Sequence, residues 1–200
     1  LLQQGSVALV SRITQKDDIS FERNWRRRFE KRMRPVADKL YWEIIPGIKD
    51  ITRQYPVRLP LPVHVELGVL DKVLGIDVIF TLNKGMRLTC QEKFGSPSFT
   101  HLKDVTVEYY NDPIRGVPGD WFKLISQLYF FGFASKDYKS FDLWVLLDWP
   151  KTVWETIKGN ITWERKRNTK NGAMADFMRL FMTSLPKPCI LATNLREITL

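Results

Sequence analysis

Two apolar segments, Val73 to Leu82 and Met86 to Phe94, flank Asn83-Lys84-Gly85, and this arrangement constrains the chain more than any other feature. A short loop holding Asn and Gly between apolar runs is a hairpin signal. A three-residue loop pairs Leu82 with Met86 and puts Gly85 in the left-handed conformation that glycine adopts at least cost. Counting back from the turn, Ile79 opposes Thr89, Asp77 opposes Gln91 and Gly75 opposes Lys93. Directly opposed residues share a face, with Cβ atoms roughly 4.5–5.5 Å apart. Strand side chains alternate, so Ile76, Val78, Phe80, Leu88 and Cys90 form one apolar face suited to a core. The other face gathers a carboxylate (Asp77), an amide (Gln91) and an ammonium (Lys93). A loop of two or four residues would turn Gln91 away from Asp77, and a bulge would bring in Glu92 instead.

Around this hairpin the pattern alternates between helical and extended segments. Ser20 reads as an N-cap, and Phe21, Trp25 and Phe29 recur at helical spacing in a helix to about Met33. Pro35 suits the first position of a second helix with Val36, Leu40, Tyr41, Ile44 and Ile45 on one face, stopped by Pro46-Gly47. Residues 52–63 read as an extended connection and Val63 to Val69 as a short strand. Val105 to Tyr110 reads as a third strand, followed by a helix capped by Asp120 that carries Trp121, Leu124, Ile125, Leu128 and Tyr129. Phe141 to Trp149 is a nearly continuous apolar strand, Pro150 opens a short helix, Ile161 to Trp163 adds an edge strand, and Ala173 to Met182 reads as an amphipathic helix. The expected fold is α/β, with a mixed central sheet flanked by helices. It forms one domain over 1–200, with a core at about 20–150 and a helical and extended C-terminal part at 151–200.

The chain carries 31 Lys and Arg against 22 Asp and Glu, a net charge of +9, which favours a polyanionic partner. Hydrophobic residues at 44% and charged residues at 26% fit a soluble globular domain, and no apolar run approaches the ~18 residues of a membrane span. No signal peptide is read at Leu1 to Val10, and the lack of an initiator Met suggests a fragment or a trimmed chain. Cys90 and Cys189 give no disulfide framework and no metal-ligand spacing, and His64 and His101 lie far apart, so zinc is not expected. A reducing, cytoplasmic setting is the expectation.

A carboxylate and a second oxygen ligand can hold Mg²⁺ with several waters retained. Such a metal acidifies a bound water and polarises a phosphoryl oxygen, and a neighbouring Lys stabilises developing negative charge. Leu74-Gly75-Ile76-Asp77-Val78-Ile79 followed by Cys90-Gln91-Glu92-Lys93 resembles the signature of the PD-(D/E)XK (restriction-endonuclease-like) nuclease superfamily. The resemblance implies an αβββαβ core and a Mg²⁺- or Mn²⁺-dependent site acting on nucleic acid, DNA rather than RNA. It assigns metal to Asp77 and Gln91, and Lys93 to the attacking water. Gln91 stands where the family places an acid, a variant the superfamily contains, and Ile76 stands where Pro often precedes the Asp. The family often adds a Glu from the preceding helix; Glu22 lies at the edge of the core-facing arc while Glu30 points further out, with Glu66 and Asp71 as competitors.

Each assignment has a plainer alternative. Asp77 and Lys93 can form a structural salt bridge without metal. Glu92 reads as a solvated strand-end charge, Tyr129 as core, and Gln127 as a residue that could face the site. Arg23, Arg26, Arg27 and Lys31 on the first helix, and Arg165, Lys166 and Arg167 beyond Trp163, are either phosphate contacts or solvated faces. Two other functions stand beside the nuclease: a nucleic-acid-binding module on the same fold that has lost catalysis, and a phage- or virus-like structural protein. A homodimer is compatible with all three.

Overall fold

The computed structural model describes residues 25–53, 75–168 and 175–196. Ser20, Glu22, Arg23, His64, Glu66, Asp71 and the strand expected over residues 63–69 lie outside the described residues.

The first described element is a helix over residues 25–44 (α1). Phe29, Met33, Ala37, Tyr41 and, just past the helix, Ile45 are all buried, one every fourth residue. That stripe runs unbroken past Pro35, where two helices were expected and one is found. Proline inside a helix removes a hydrogen bond and costs about 3 kcal/mol. Here Pro35 is on the exposed side, where water can satisfy the freed carbonyl, and burial of the continuous stripe outweighs the cost.

Among the described residues, ten strands follow, as two sheets. The central sheet has the order β1-β2-β3-β6-β7-β10, built from β1 (Ile48–Arg53), β2 (Val78–Leu82), β3 (Arg87–Gly95), β6 (Leu128–Ala134), β7 (Phe141–Asp148) and β10 (Ile190–Thr193). It is mixed: β3 and β6 run parallel, and the other neighbours are antiparallel. The second sheet has the order β5-β4-β9-β8, from β4 (Asp104–Asp112), β5 (Val117–Pro118), β8 (Trp163–Asn168) and β9 (Ala175–Phe181). α1 covers one face of the central sheet, packing Met33 and Tyr41 against Val78, Phe80, Cys90 and Phe130. The other face, through Tyr129, Phe131 and Val145, shares a core with Val105 and Val107 of β4 and Met178 and Leu180 of β9. The architecture is α/β, with mixed sheet structure flanked by helices.

Four elements depart from the expectations. β1 was not anticipated, only its last two residues falling in the extended connection expected over 52–63; it pairs with β2 at the edge of the central sheet. Its Lys49, Asp50 and Arg53 are the charges an edge strand carries and a sequence pattern hides. Val105 to Tyr110 is indeed a strand, but it belongs to the second sheet. The expected helix after Asp120 is a single 3₁₀ turn, Asp120–Phe122, after which the chain becomes β6. All seven residues of β6 are buried because it lies between β3 and β7 with both faces covered. A Cβ on Gly132 would come within 2.6 Å of the Phe141 ring, so glycine is what lets β6 approach its neighbour. The helix expected at 173–182 is β9, whose burial alternates residue by residue in the described part. Asp176 and Arg179 disguise that alternation. Asp176 is buried against Arg165 and Arg167 of β8, and Arg179 pairs with Asp104 and Glu164.

Pro150 opens α2 (Trp149–Ile157) as expected, and the Asp148 carboxylate caps it by accepting from the Lys151 N–H at 3.0 Å. Asp148→Ala is expected to lower stability by about 1 kcal/mol, read as a shift in denaturant midpoint at unchanged slope. Cys90 and Cys189 are both free and buried. Among the described residues, no helix is long and apolar enough to cross a membrane.

Candidate functional site

The hairpin forms in the register its turn dictates. Ile79 pairs with Thr89 and Phe80 with Leu88, with no bulge along the described ladder. Leu82 N–H donates to the Met86 carbonyl at 2.7 Å, and both Lys84 (φ 65°) and Gly85 (φ 74°) take left-handed backbone. Asp77 precedes β2 but stays on the ladder, its N–H donating to the Cys90 carbonyl at 3.0 Å. Its Oδ2 accepts from the Glu92 N–H at 2.9 Å, which fixes the carboxylate against the next strand. Gly75 bends the chain just before it. Its φ is +60°, and a Cβ there would fall 2.0 Å from Leu124 Cδ2 and 3.2 Å from Gln91 Oε1.

These residues border a cavity of about 570 Å³. The hairpin contributes Asp77, Gln91, Glu92, Lys93 and Phe94; α1 contributes Arg26, Glu30 and Arg34. The second sheet and its following turn add Glu108, Asn111, Asp120 and Lys123. The cavity therefore draws walls from three parts of the fold, with cations and carboxylates interleaved.

Gln91 is 7% exposed, and its Oε1 has no hydrogen-bond partner. Its Nε2 reaches only the Glu92 carbonyl, at 3.5 Å. A buried acceptor left unsatisfied costs on the order of 1–3 kcal/mol and calls for an explanation. Ser126 Oγ and Trp149 Nε1 are also buried without partners, but neither residue lines this cavity.

Lys93 Nζ lies 3.3 Å from Glu108 Oε1 on β4. With its amide oriented to suit its neighbours, Asn111 donates to Glu108 Oε2 at 2.7 Å and accepts from Lys123 Nζ at 3.1 Å. Burial alone would raise the Glu108 carboxyl, but Lys93, with help from Arg26 and Lys123, holds it below the usual range. Glu108 is thus a fixed anion that ties β3 to β4. No sequence signal marks Glu108: it stands on a segment recognised as a strand, but its partner is fifteen residues away on another sheet.

Glu92 corrects an expectation. Its carboxylate is buried on the α1 side, accepting from Tyr41 Oη at 2.7 Å and from Arg53 Nη2 at 2.6 Å, with Arg53 Nη1 on its other oxygen. It is neither a solvated strand end nor a substitute for Gln91; Glu92 borders the cavity, but Tyr41 and Arg53 engage its carboxylate. Glu30, expected to point outward, lines the cavity and pairs with Arg26 at 3.5 Å. Tyr129 is core, as expected, its hydroxyl donating to the Thr106 carbonyl at 2.9 Å. Gln127 is turned to Thr89, whose N–H it accepts at 3.1 Å, and is not part of the cavity.

The basic residues divide. Arg26 borders the cavity, while Arg27 and Lys31 are exposed on α1. Arg165 and Arg167 lie on β8 with their guanidinium Nε atoms 2.7 and 2.9 Å from the Asp176 carboxylate, and Lys166 pairs with Glu164 at 3.7 Å. Among the described residues, no group of three or more His, Cys, Asp or Glu side chains is placed to hold a metal ion. The hairpin lines the cavity with two carboxylates, Asp77 and the Glu92 already held by Arg53, and one amide, Gln91, a hard oxygen set that suits Mg²⁺ better than zinc. No family model matches the chain, and neither a curated protein nor a solved structure matches it.

Proposed function

We propose that this chain is a metal-dependent nuclease that hydrolyses phosphodiester bonds of DNA, on a restriction-endonuclease-like core. The observation that carries the reading is the orphaned Gln91 Oε1 on the same cavity wall as Asp77 and Lys93. An acceptor buried without a protein donor is what a cation ligand looks like when only the protein is considered. The order α1, β1, β2, β3, with β6 joining parallel to β3, supports the core assignment. The crossover between β3 and β6 runs through β4 and β5 where the superfamily would place a helix.

Asp77 and Gln91 would hold Mg²⁺ or Mn²⁺, with Glu30 the nearest described candidate for the helix-borne acid. The bound ion would acidify a water and polarise a phosphoryl oxygen. Asp77 is oriented for this by the Glu92 N–H. Lys93 presents an ammonium to the cavity, where it can orient the attacking water and offset charge developing on the phosphate. Glu108 keeps that ammonium from swinging away, and Arg26, Arg34 and Lys123 give the cavity rim the cations that phosphate oxygens require.

The test is cleavage of plasmid and oligonucleotide DNA with Mg²⁺, with Mn²⁺ and with a chelator. The expected result is cleavage with metal that is lost on chelation and in Asp77→Ala. A wild-type chain that cuts nothing under either metal sinks the proposal. One observation favours a second reading, a binding module without catalysis: position 91 has an amide and Lys93 is already paired. That reading gives salt-sensitive DNA binding, no cleavage, and no response to Asp77→Ala.

A further inference from the structure

Beyond the cavity, β4 and the 3₁₀ turn carry a run of aromatic side chains that the nuclease chemistry does not use. Phe122 is 51% exposed and lies in sequence between Trp121 and Lys123, a cavity residue. Its ring centroid is 4.9 Å from that of Tyr109 and 5.7 Å from that of Tyr110. Tyr109 in turn stacks on Trp163 of β8, which is 40% exposed, at 6.1 Å. Arg165 sits over both tyrosine rings, 5.4 Å from one centroid and 5.2 Å from the other, and Asp176 anchors it there. Tyr109 and Tyr110 lie in sequence between Glu108 and Asn111, both cavity residues.

Rings that cost free energy when left in water persist here in the open, beside cations. Solvent-facing Trp and Phe interleaved with Arg and Lys give bases a flat apolar surface and phosphates a positive one. Paired bases hide their faces in the duplex stack; only unpaired bases can lie on such rings. Protein interfaces are also enriched in aromatic side chains and Arg, so what favours a nucleic acid here is charge: the chain carries a net +9, complementary to a polyanion.

We propose that Phe122, Tyr110 and Trp163, with Arg165, form a stacking platform for unpaired nucleotides adjoining the cavity, so that the preferred substrate is single-stranded DNA or a single-stranded extension of a duplex. This rests on the nucleic-acid reading above and names its substrate class. Arg165 acts here through its fixed position over the tyrosines, which reconciles its ion pair with Asp176 with a binding role.

The experiment measures equilibrium binding of a fluorescent oligo(dT) and of a blunt duplex to the full chain in chelator, where no cleavage occurs. The wild type is expected to bind oligo(dT) more tightly than the duplex. Phe122→Ala and Trp163→Ala are each expected to weaken oligo(dT) binding by about tenfold, within the roughly 5- to 150-fold that losing one stacked base produces, and to leave duplex binding unchanged. Phe122→Tyr keeps the ring and should retain affinity. Ile125→Ala removes a still more exposed apolar side chain without a π face and should change nothing. The proposal is overturned if both aromatic variants bind oligo(dT) like wild type, or if Ile125→Ala weakens binding as they do, which would mark a general apolar patch. Failure of the nuclease reading looks different: absent cleavage with this binding pattern intact.

Discussion

Replacing Glu92 with Ala is expected to cost about 3–5 kcal/mol of unfolding free energy, because it leaves a buried guanidinium and a buried phenol without their partner. The Glu92 side chain is 2% exposed and that of Arg53 is 13% exposed. Arg53 also reaches Asp38 at 2.6 Å, so this one carboxylate links β1, β3 and α1. Burial works against the Arg53 charge, yet Glu92 more than offsets it and raises its pKa above the ordinary value. Glu92→Gln keeps an acceptor for Tyr41 and should lose less. The double variant Glu92→Leu, Arg53→Met removes both charges together and should recover much of the loss, since a well-packed apolar pair can replace a buried ion pair at little cost. Chemical denaturation of the three variants checks this. Equal losses in the single and double variants would mean that packing rather than charge governs the position.

The contrast between Glu92 and Gln91 shows what a sequence reveals about this fold. The hairpin was legible because its information is local: turn chemistry fixes the loop length, loop length fixes the register, and alternation assigns the faces. The same alternation puts Glu92 with Cys90 on the α1 side, but its partner Arg53 comes from a strand whose own pattern is too polar to be recognised. β6 was misread because a short apolar run fits a buried helix and a buried strand equally well; what decides is the presence of β3 and β7 on either side. β9 was misread for a related reason. Its buried Asp176 is tolerable only because β8 delivers Arg165 and Arg167 to it, a pairing between strands that the linear pattern does not encode.

The candidate site divides along the same line. Asp77, Gln91 and Lys93 come from one hairpin, and sequence reasoning brings them to one face. Glu30, Glu108, Asn111 and Lys123 join them from a helix and from a different sheet, so tertiary packing alone makes them neighbours. The interior of the cavity is therefore local in origin, while its rim and the anchor for its lysine are not.

That anchor gives the second large effect. Lys93→Ala is expected to lower the rate of metal-dependent cleavage by roughly 10²–10³-fold, the usual loss when one preorganised charge facing a developing anion is removed. The loss should fall on kcat more than on KM, because the ammonium acts on charge that appears during the reaction. The same variant makes a separate claim about stability. In the wild type, Glu108 titrates below its unfolded value of roughly 4.3, so its contribution is present above that pH and is lost as the pH falls through the lowered folded value. Burial pushes that carboxyl up and Lys93 is the chief group pulling it down. Without Lys93 its folded pKa rises, and the variant gains less stability than the wild type, or loses some, as the pH increases. The stability gap between Lys93→Ala and wild type should therefore be small in acid and widen toward neutral pH. Glu108→Gln should abolish that widening when combined with Lys93→Ala. A gap that stays constant across this range would show that Glu108 does not feel Lys93. A normal kcat in Lys93→Ala would remove the ammonium from the chemistry altogether.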